Sequence, residues 1–282
     1  MRSKRSKRLL GLPPLVRAAA LTILVGLLAC GTLNVSDEMR LGRDVHSDLQ
    51  QELRFFNDEV TVDYVRDIGE SILHAVGPQP FDYRFFVVAN GDINAFAGPA
   101  GFIYVNTGTI LKARNVSELA GVIGHEIGHV AERHIAENYY RQRGTGIAYQ
   151  VGVALASLFA GGLGASAAQL GGGLASMAYL NSFGREAEME ADAFAVSALP
   201  AAGYDPDGLV TFFETLQHET GGSGPTFLSS HPATEDRIAA TRALIAALPP
   251  QPGLAEDDRG KLEIIQRRIH ILGGASGSGT RR

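Results

Sequence analysis

The chain has 282 residues, of which 45% are hydrophobic and 20% charged, and its formal net charge is −5. This composition is typical of an ordinary folded protein, and the acidic balance argues against binding to nucleic acid and against electrostatic adhesion to anionic lipid. The chain contains one cysteine, which excludes an intrachain disulfide.

The first 29 residues have the pattern of a secretory signal peptide. Six basic residues come before an uncharged apolar run over positions 18–29, and about a dozen apolar residues are too few for a comfortable membrane span. The run ends in Leu-Leu-Ala-Cys, which resembles a lipobox, so Cys30 is predicted to carry a lipid and to become the mature N-terminus. An uncleaved anchor, or a plain signal peptide with an incidental cysteine, is the alternative. We therefore predict a lipoprotein signal peptide over 1–29 and a lipidated linker over 30–35.

Cleavage after this signal would leave about 250 residues, enough to bury one substantial core. It would also remove the six basic residues and change the formal net charge from −5 to about −11. We therefore predict no nucleic-acid partner, and contact with a membrane through the N-terminal lipid. One domain is expected over 36–272, followed by a disordered tail over 273–282 that is rich in glycine and serine.

Hydrophobic periodicity and turn residues predict a mostly helical chain with two strands. The predicted elements are helices over 37–57 and 60–75, strands over 81–90 and 101–108, a helix over 116–143, a helix ending at Pro200, and helices over 206–217, from about 232, and over 262–271. Asn115 with Glu118 resembles a capping box at the start of the helix over 116–143. Residues 144–184 contain no charged side chain and are rich in glycine and alanine. We interpret them as a packed or mobile cover, with membrane contact as the alternative.

The segment HEIGH places two histidines four residues apart in the predicted helix over 116–143. Residues with this spacing lie on one face of an α-helix, so His125 and His129 can take two corners of a tetrahedral zinc site. Glu126 is rotated about a quarter turn, near enough to reach a water without binding the metal. The motif is short and also occurs by chance on solvated helices. Its apolar neighbours here predict burial, which is unfavourable for these side chains unless they have hydrogen-bonding or metal partners.

A catalytic zinc site needs one more protein ligand, and the segment REAEMEAD provides carboxylates at a suitable spacing. Glu188 and Asp192 are four residues apart, so one can bind the metal while the other hydrogen-bonds a ligand histidine. Glu186 and Glu190 point to other faces of that helix. For all four acids taken alone, a solvated helix surface is the simpler interpretation. His134 would face the opposite side of the histidine-bearing helix, and we interpret it as structural.

Four elements, in this order along the chain, resemble the HtpX and CAAX-prenyl-protease superfamily of zinc metallopeptidases, and in particular its bacterial lipoprotein branch. They are the segment NAFAGPAGFIYV at 94–105, His-Glu-x-x-His, Glu-x-x-x-Asp, and the segment HPATEDR at 231–237. The resemblance spans about residues 36–248. It implies an α+β, predominantly helical fold of the zincin-like metallopeptidase type, with a small mixed β-sheet and an active-site helix.

The resemblance also implies roles at the metal. One zinc ion per subunit would be held by His125, His129 and Glu188. Glu126 would act as the general base of peptide hydrolysis. Asp192 would orient a ligand histidine through a hydrogen bond.

Further roles are implied for residues around the metal. His231 would act as an oxyanion stabiliser or as a ligand that closes the site. Arg237 would support His231 or bind a substrate carbonyl. An edge strand over 95–105 would pair with an extended substrate peptide through main-chain hydrogen bonds. The substrate-binding residues would be Asn94, Ala95 and Phe96.

Together these features predict a zinc-dependent metalloendopeptidase of the cell envelope that hydrolyses unfolded or misassembled envelope and membrane proteins in protein quality control. The lipid would anchor it, and Gly31 in place of aspartate after the cysteine is compatible with the outer membrane, facing the periplasm. Envelope assembly factors or chaperones are further candidate partners. Two alternatives from other classes stay open: a metal-binding but non-proteolytic chaperone or assembly factor, and a structural lipoprotein without metal.

Overall fold

The computed structural model describes residues 33–143, 181, 183–218 and 226–273. From Asn34 onward these residues belong to one compact unit. The predicted signal peptide and lipidation site, almost all of the uncharged segment over 144–184, and the tail after residue 273 lie outside them. No helix among the described residues is long and apolar enough to cross a membrane.

Over the described residues the fold is predominantly helical with one small mixed sheet, as the family resemblance implies. In chain order the elements among the described residues are α1 (Val35–Glu52), α2 (Glu59–Val76), β1 (Arg84–Val88), β2 (Ala95–Gly98), β3 (Phe102–Asn106), α3 (Thr107–Lys112), α4 (Val116–Ala131), α5 (His134–Arg143), α6 (Arg185–Ala201), α7 (Asp207–His218), α8 (Thr226–Ser230), α9 (Glu235–Ala247) and α10 (Lys261–Ile271). Asn115 accepts the main-chain N–H of Glu118 at 2.9 Å. This bond satisfies a first-turn donor that has no partner inside the helix, and so fixes the start of α4.

The sheet has the strand order β1-β3-β2, with β1 parallel and β2 antiparallel to β3. A tight turn through the short 3-10 helix Pro99–Gly101 joins β2 to β3, and Ala100 within it has a φ of 59°. The edge strand predicted over 95–105 is therefore a hairpin, of which only β2 lies at an edge. Strand order depends on pairing with the distant β1, and for this reason the local sequence did not reveal which half would be central.

The helix α4 is buried along its length, from Val116 to Val130. Helices α6 and α7 pack against it, and two glycines allow the close approach. A Cβ atom at Gly128 would lie 2.9 Å from the main-chain oxygen of Ala191 in α6, and one at Gly121 would lie 2.7 Å from the Cα atom of Leu209 in α7. Larger side chains would push the helices apart. The glycines therefore bring the polar residues of α4 and α6 together.

The helix predicted over 116–143 is interrupted, so the prediction of one continuous helix was wrong. α4 ends at Ala131 and α5 begins at His134, because Arg133 has left-handed backbone with a φ of 61°. This conformation is unfavourable for a residue with a Cβ atom. The Nη2 of Arg133 donates to the buried Oε2 of Glu38 in α1 at 2.7 Å. This ion pair joins the interrupted turn to a segment far away in sequence.

Candidate metal centre

One face of α4 presents two histidine rings toward α6. The Nε2 atoms of His125 and His129 are 3.0 Å apart, and both rings are fully buried. The spacing of four residues produces this arrangement directly, since about one helical turn separates the two side chains. The rings therefore converge on one position, as the sequence predicts.

Two further side chains complete the cluster. The carboxylate of Glu188 in α6 lies 3.5 Å from the His125 Nε2 and 3.4 Å from the His129 Nε2. The Nδ1 of His231, directly after α8, lies 3.0 Å from the Glu188 Oε1 and 3.2 Å from the His125 Nε2. One ligand atom from each of the four residues lies within 4.8 Å of the others. Three imidazole nitrogens and a carboxylate in a buried cluster suit zinc, so the residues present fit this ion.

The carboxylate of Glu126 is fully buried next to this cluster. Among the described residues, neither of its oxygens has a hydrogen-bond partner. Its Oε1 lies 3.6 Å from the Nε2 of His231. Burial raises the pKa of Glu126, although His231, His125 and the nearby main-chain N–H of Ala97 act to lower it. Burying a carboxylate with so few donors destabilises a fold, and its presence here is consistent with a base that exchanges protons with water and substrate.

Asp192 lies on the far side of the His125 ring from the ligand cluster. Its Oδ1 is 2.9 Å from the His125 Nδ1, which is the geometry of a carboxylate that orients a metal-binding histidine. Burial raises the pKa of Asp192, but hydrogen bonds with Arg237 and His125 outweigh that effect and lower the pKa to about 2. Asp192 is therefore ionised and accepts hydrogen bonds throughout the neutral range.

The guanidinium of Arg237 is only 2% exposed and points into this network. Its Nη1 lies 2.6 Å from the Glu188 Oε2, and its central carbon lies 4.5 Å from the ring centroid of Phe213. The Nη1 also donates to the main-chain oxygen of Pro232, directly after His231, at 3.3 Å. This placement favours the predicted supporting role of Arg237 over contact with a substrate carbonyl.

The predicted substrate-binding residues lie at β2 but differ in orientation. The main-chain oxygen of Asn94 accepts an N–H from the end of β3 at 3.0 Å. Because antiparallel pairing alternates along a strand, the main chain of Phe96 also faces β3, whereas that of Ala95 and Ala97 faces outward. The side-chain oxygen of Asn94 is buried without a hydrogen-bond partner among the described residues.

An amide group already contacts the outward edge of β2. The Nδ2 of Asn181 donates to the main-chain oxygen of Ala97 at 3.0 Å, and both residues are buried. An extended peptide pairing with β2 would make the same kind of bond through a main-chain N–H. Sequence reasoning included Ala97 only as part of the substrate-pairing strand over 95–105, and it did not identify Asn181. The alternation along β2 indicates Ala97 once the strand order is known.

His134, which the sequence assigned to another face, lies directly behind the cluster and contacts the exposed Glu190. The Nδ1 of His134 is 3.0 Å from the His129 Nδ1, and its Nε2 is 2.9 Å from the Glu190 Oε2. The prediction that His134 faces away from the metal side was therefore wrong, whereas Glu190 is exposed, as a residue on another face of its helix would be. The interruption at Arg133 turns His134 back toward His129, and the local sequence contains no glycine or proline to indicate it. The ring of Phe183 stacks on His129, with centroids 3.9 Å apart.

Comparisons with known proteins agree with this geometry. The sequence profile of peptidase family M48 matches residues 60–245. The chain belongs to peptidase family M48. This finding confirms the resemblance to zinc metallopeptidases and gives the family its more accurate name. The M48 chain thus contains a zinc metallopeptidase domain with zinc as its cofactor, and the matched residues include all four members of the cluster.

The curated relatives of this M48 chain have protease names. It is 30% identical over 225 residues to the beta-barrel assembly-enhancing protease of Escherichia coli, which covers 77% of this chain and 46% of that protein. It is 32% identical over 180 residues to the metalloprotease LoiP of Escherichia coli, covering 64% of this chain and 69% of LoiP. It is 28% identical over 209 residues to the mitochondrial metalloendopeptidase OMA1 of Schizosaccharomyces pombe, covering 71% of this chain and 59% of OMA1. The chain spans about half the length of the assembly-enhancing proteases that it matches.

Proposed function

We propose that this M48 chain is a zinc metalloendopeptidase of the cell envelope that cleaves unfolded or misassembled envelope and membrane proteins in protein quality control. The observation that carries the proposal is the buried carboxylate of Glu126, without a partner among the described residues, beside four converging ligand groups. A purely structural helix gains nothing from such a group, because its desolvation is uncompensated. The name of the beta-barrel assembly-enhancing relatives supports the substrate class.

In this proposal His125, His129 and Glu188 hold one zinc ion. When bound, zinc activates water and polarises the scissile carbonyl. Glu126 accepts the proton of the attacking water and then, in its protonated form, gives a proton to the leaving amine. Its burial favours the first step, because the raised pKa stabilises the protonated form and makes Glu126 a stronger base. Asp192 keeps the ring of His125 in position through the Nδ1 contact.

His231 has a position that supports two roles. Its Nδ1 faces the other ligand atoms, where it would act as a fourth ligand that closes the site. Its Nε2 lies near Glu126, and a small rotation of the ring would direct an N–H at a developing oxyanion. Arg237 supports both arrangements through its bond to the oxygen of Pro232.

Substrate binding is assigned to the edge strand β2 and to the residue before it. An extended peptide would pair with the outward main chain of Ala95 and Ala97, while the buried side-chain oxygen of Asn94 would accept a further N–H. Phe96 would contribute by holding β2 in the sheet through its stacking on Tyr104. Main-chain pairing makes few demands on substrate sequence, which suits a protease that acts on unfolded chains.

The experiment that tests the activity compares Glu126→Gln with Glu186→Gln, an exposed glutamate on α6. We expect Glu126→Gln to lose casein hydrolysis while it keeps its zinc content and its circular dichroism spectrum, because only the proton acceptor is removed. Glu186→Gln should keep both activity and zinc, and a zinc chelator should abolish the activity of that control. Parental hydrolysis by Glu126→Gln would contradict the proposal. Binding of unfolded protein without any hydrolysis by the parental chain would instead indicate a non-proteolytic chaperone.

The ligand assignment has its own test in metal analysis. Glu188→Ala should lose zinc, since the carboxylate supplies one of three permanent ligands, whereas Glu186→Ala should retain it. The opposite pattern would overturn the assignment. Proteins that accumulate on the Glu126→Gln variant in cells would identify the natural substrates and any envelope assembly or chaperone partners.

We further propose that Cys30 carries a lipid and that the domain over 36–272 faces the periplasm from the outer membrane. The support is the lipobox pattern after a basic and apolar N-terminal segment. Cys30→Ser should leave a slower-migrating precursor that a palmitate analogue no longer labels. Unchanged labelling and mobility would exclude the lipobox.

A further inference from the structure

The ring of His129 has hydrogen-bonding contacts on both of its nitrogens. Its Nε2 faces the ligand cluster, 3.0 Å from the His125 Nε2 and 3.4 Å from the Glu188 Oε1. Its Nδ1 faces the other way, 3.0 Å from the Nδ1 of His134. The Nε2 of His134 in turn lies 2.9 Å from the Oε2 of Glu190. A chain of contacts therefore runs from the metal side of His129 to a carboxylate on the outer side of α6.

The positions of the hydrogens along this chain follow from the chemistry of imidazole. A histidine that binds metal through Nε2 uses that lone pair, so its remaining hydrogen is on Nδ1. His129 then donates from Nδ1, and His134 accepts with the Nδ1 lone pair. His134 must in turn carry its hydrogen on Nε2, from which it donates to Glu190. One tautomer of each ring satisfies both contacts.

We propose that His134 and Glu190 are a positioning pair that fixes the ring orientation and the tautomer of the zinc ligand His129. The two α4 histidines then have outer partners of different kinds. His125 contacts the carboxylate of Asp192 directly, whereas His129 contacts a carboxylate through a second imidazole. Outer partners of this type raise the affinity of a histidine for its metal, because the ring does not have to be ordered on binding.

The surrounding fold supports a positioning role over simple packing. His134 is 3% exposed, and both of its ring nitrogens have polar partners. Phe183 stacks on the face of the His129 ring, with centroids 3.9 Å apart and an interplanar angle of 14°. This stacking restricts tilting of the ring, while the contact of His134 with Nδ1 restricts its rotation within the ring plane. The left-handed Arg133 places His134 at this position, and its bond to Glu38 anchors the turn to α1.

The inference rests on the proposed ligation of zinc by His129, and it is tested by metal affinity rather than by proteolysis. The dissociation constant for zinc is measured by competition with a chromogenic chelator, on the full chain carrying Glu126→Gln. His134→Phe should weaken zinc binding by about 10- to 100-fold. His134→Asn should restore much of that loss, because its side-chain oxygen lies near the former Nδ1 and still accepts from His129. His74→Phe, at an exposed histidine of α2, is the control for the substitution itself.

Glu190→Gln provides a second test that does not depend on a buried substitution. The Glu190 side chain is 55% exposed, so the variant should fold, and we expect only a few-fold weaker zinc binding. Glu186→Gln on the same helix should bind zinc like the parent. In cobalt-loaded protein, His134→Phe should also shift the visible ligand-field bands, and His134→Asn should shift them less.

Equal zinc affinity in Glu190→Gln and Glu186→Gln, together with unchanged cobalt bands in the His134 variants, would overturn the inference. If His134→Phe does not fold, Glu190→Gln and His134→Asn decide the matter by the same readouts. None of these outcomes depends on hydrolysis. A failure of the positioning pair is therefore distinguishable from a failure of the proposed protease function, which is tested by casein cleavage.

Discussion

Arg237 donates to both carboxylate oxygens of Asp192, with its Nε 2.6 Å from Oδ2 and its Nη2 2.7 Å from Oδ1. Its remaining nitrogen, Nη1, lies 2.6 Å from the Oε2 of Glu188. One buried cation therefore contacts both the carboxylate that orients His125 and the carboxylate that belongs to the ligand cluster. Planar, bidentate geometry of this kind is specific to arginine.

Removing this cation should strongly destabilise the protein. Arg237→Met leaves two buried carboxylates without their partner, and we expect the metal-depleted variant to lose about 3–5 kcal/mol of unfolding free energy. Urea denaturation followed by circular dichroism measures the difference. Arg242→Met on the same helix removes exposed ion pairs with Glu214 and Asp207, and it should cost no more than about 1 kcal/mol. A loss in Arg237→Met as small as the loss expected for Arg242→Met would show that the buried network does not stabilise the fold.

The role of His231 can be decided by one substitution and two substrates. Because its Nδ1 lies among the ligand atoms, we expect His231→Ala to retain zinc on the other three ligands and to cleave a folded substrate faster than the parent. Cleavage of unfolded casein should change little. A loss of about 10²-fold on both substrates would instead assign His231 to oxyanion stabilisation. Unaltered activity on both substrates would rule out both roles.

The contact between Asn181 and β2 should compete with substrate. Asn181→Ala frees the Ala97 oxygen for a peptide N–H, so the KM for an extended peptide should fall by about 2- to 10-fold, the value of one net hydrogen bond. The kcat should be unchanged, because the chemical groups are not altered. Asn57→Ala, at an exposed asparagine, serves as the control. An increase in KM would mean that Asn181 assists binding and does not compete with it.

Asp58 should make stability depend on pH in the acid range. A hydrogen bond from Arg268 is the main reason that the pKa of Asp58 falls to about 2 in the folded protein, and Asp58 also caps α2 through Thr61. A depressed carboxyl pKa stabilises the fold above the unfolded value of about 4, and this stabilisation is lost as the pH falls through about 2. Asp58→Asn keeps the helix cap but removes the charge that pairs with Arg268, and it should therefore cost about 1–2 kcal/mol at pH 7.

The cost of Asp58→Asn should shrink steadily between about pH 4 and pH 2, as measured by thermal unfolding of both proteins. Asp63→Asn, which removes an exposed pair with Arg66, should show a small effect at every pH. A cost that stays constant down to pH 2 would show that the Asp58 charge does not stabilise the fold.

Several features of the site were predictable because they depend on local geometry. The pairs His125–His129 and Glu188–Asp192 are each separated by about one helical turn, so any α-helix places their side chains on one face. The two helices and their polar faces could therefore be identified without knowledge of the tertiary structure. The motif at 231–237 indicated two further residues only through its family resemblance, since nothing local brings His231 and Arg237 to the metal side.

The sequence by itself determined the metal-binding pattern and the helical character of this protein, since both follow from spacing along a single helix. The tertiary structure decided which strand lies at the edge and which residues support the ligands. The edge position of β2 depends on β1, and the contact of His134 with His129 depends on Arg133, whose partner Glu38 lies in α1. Such contacts join segments that are far apart in the chain, so the local sequence contains no periodic pattern that predicts them.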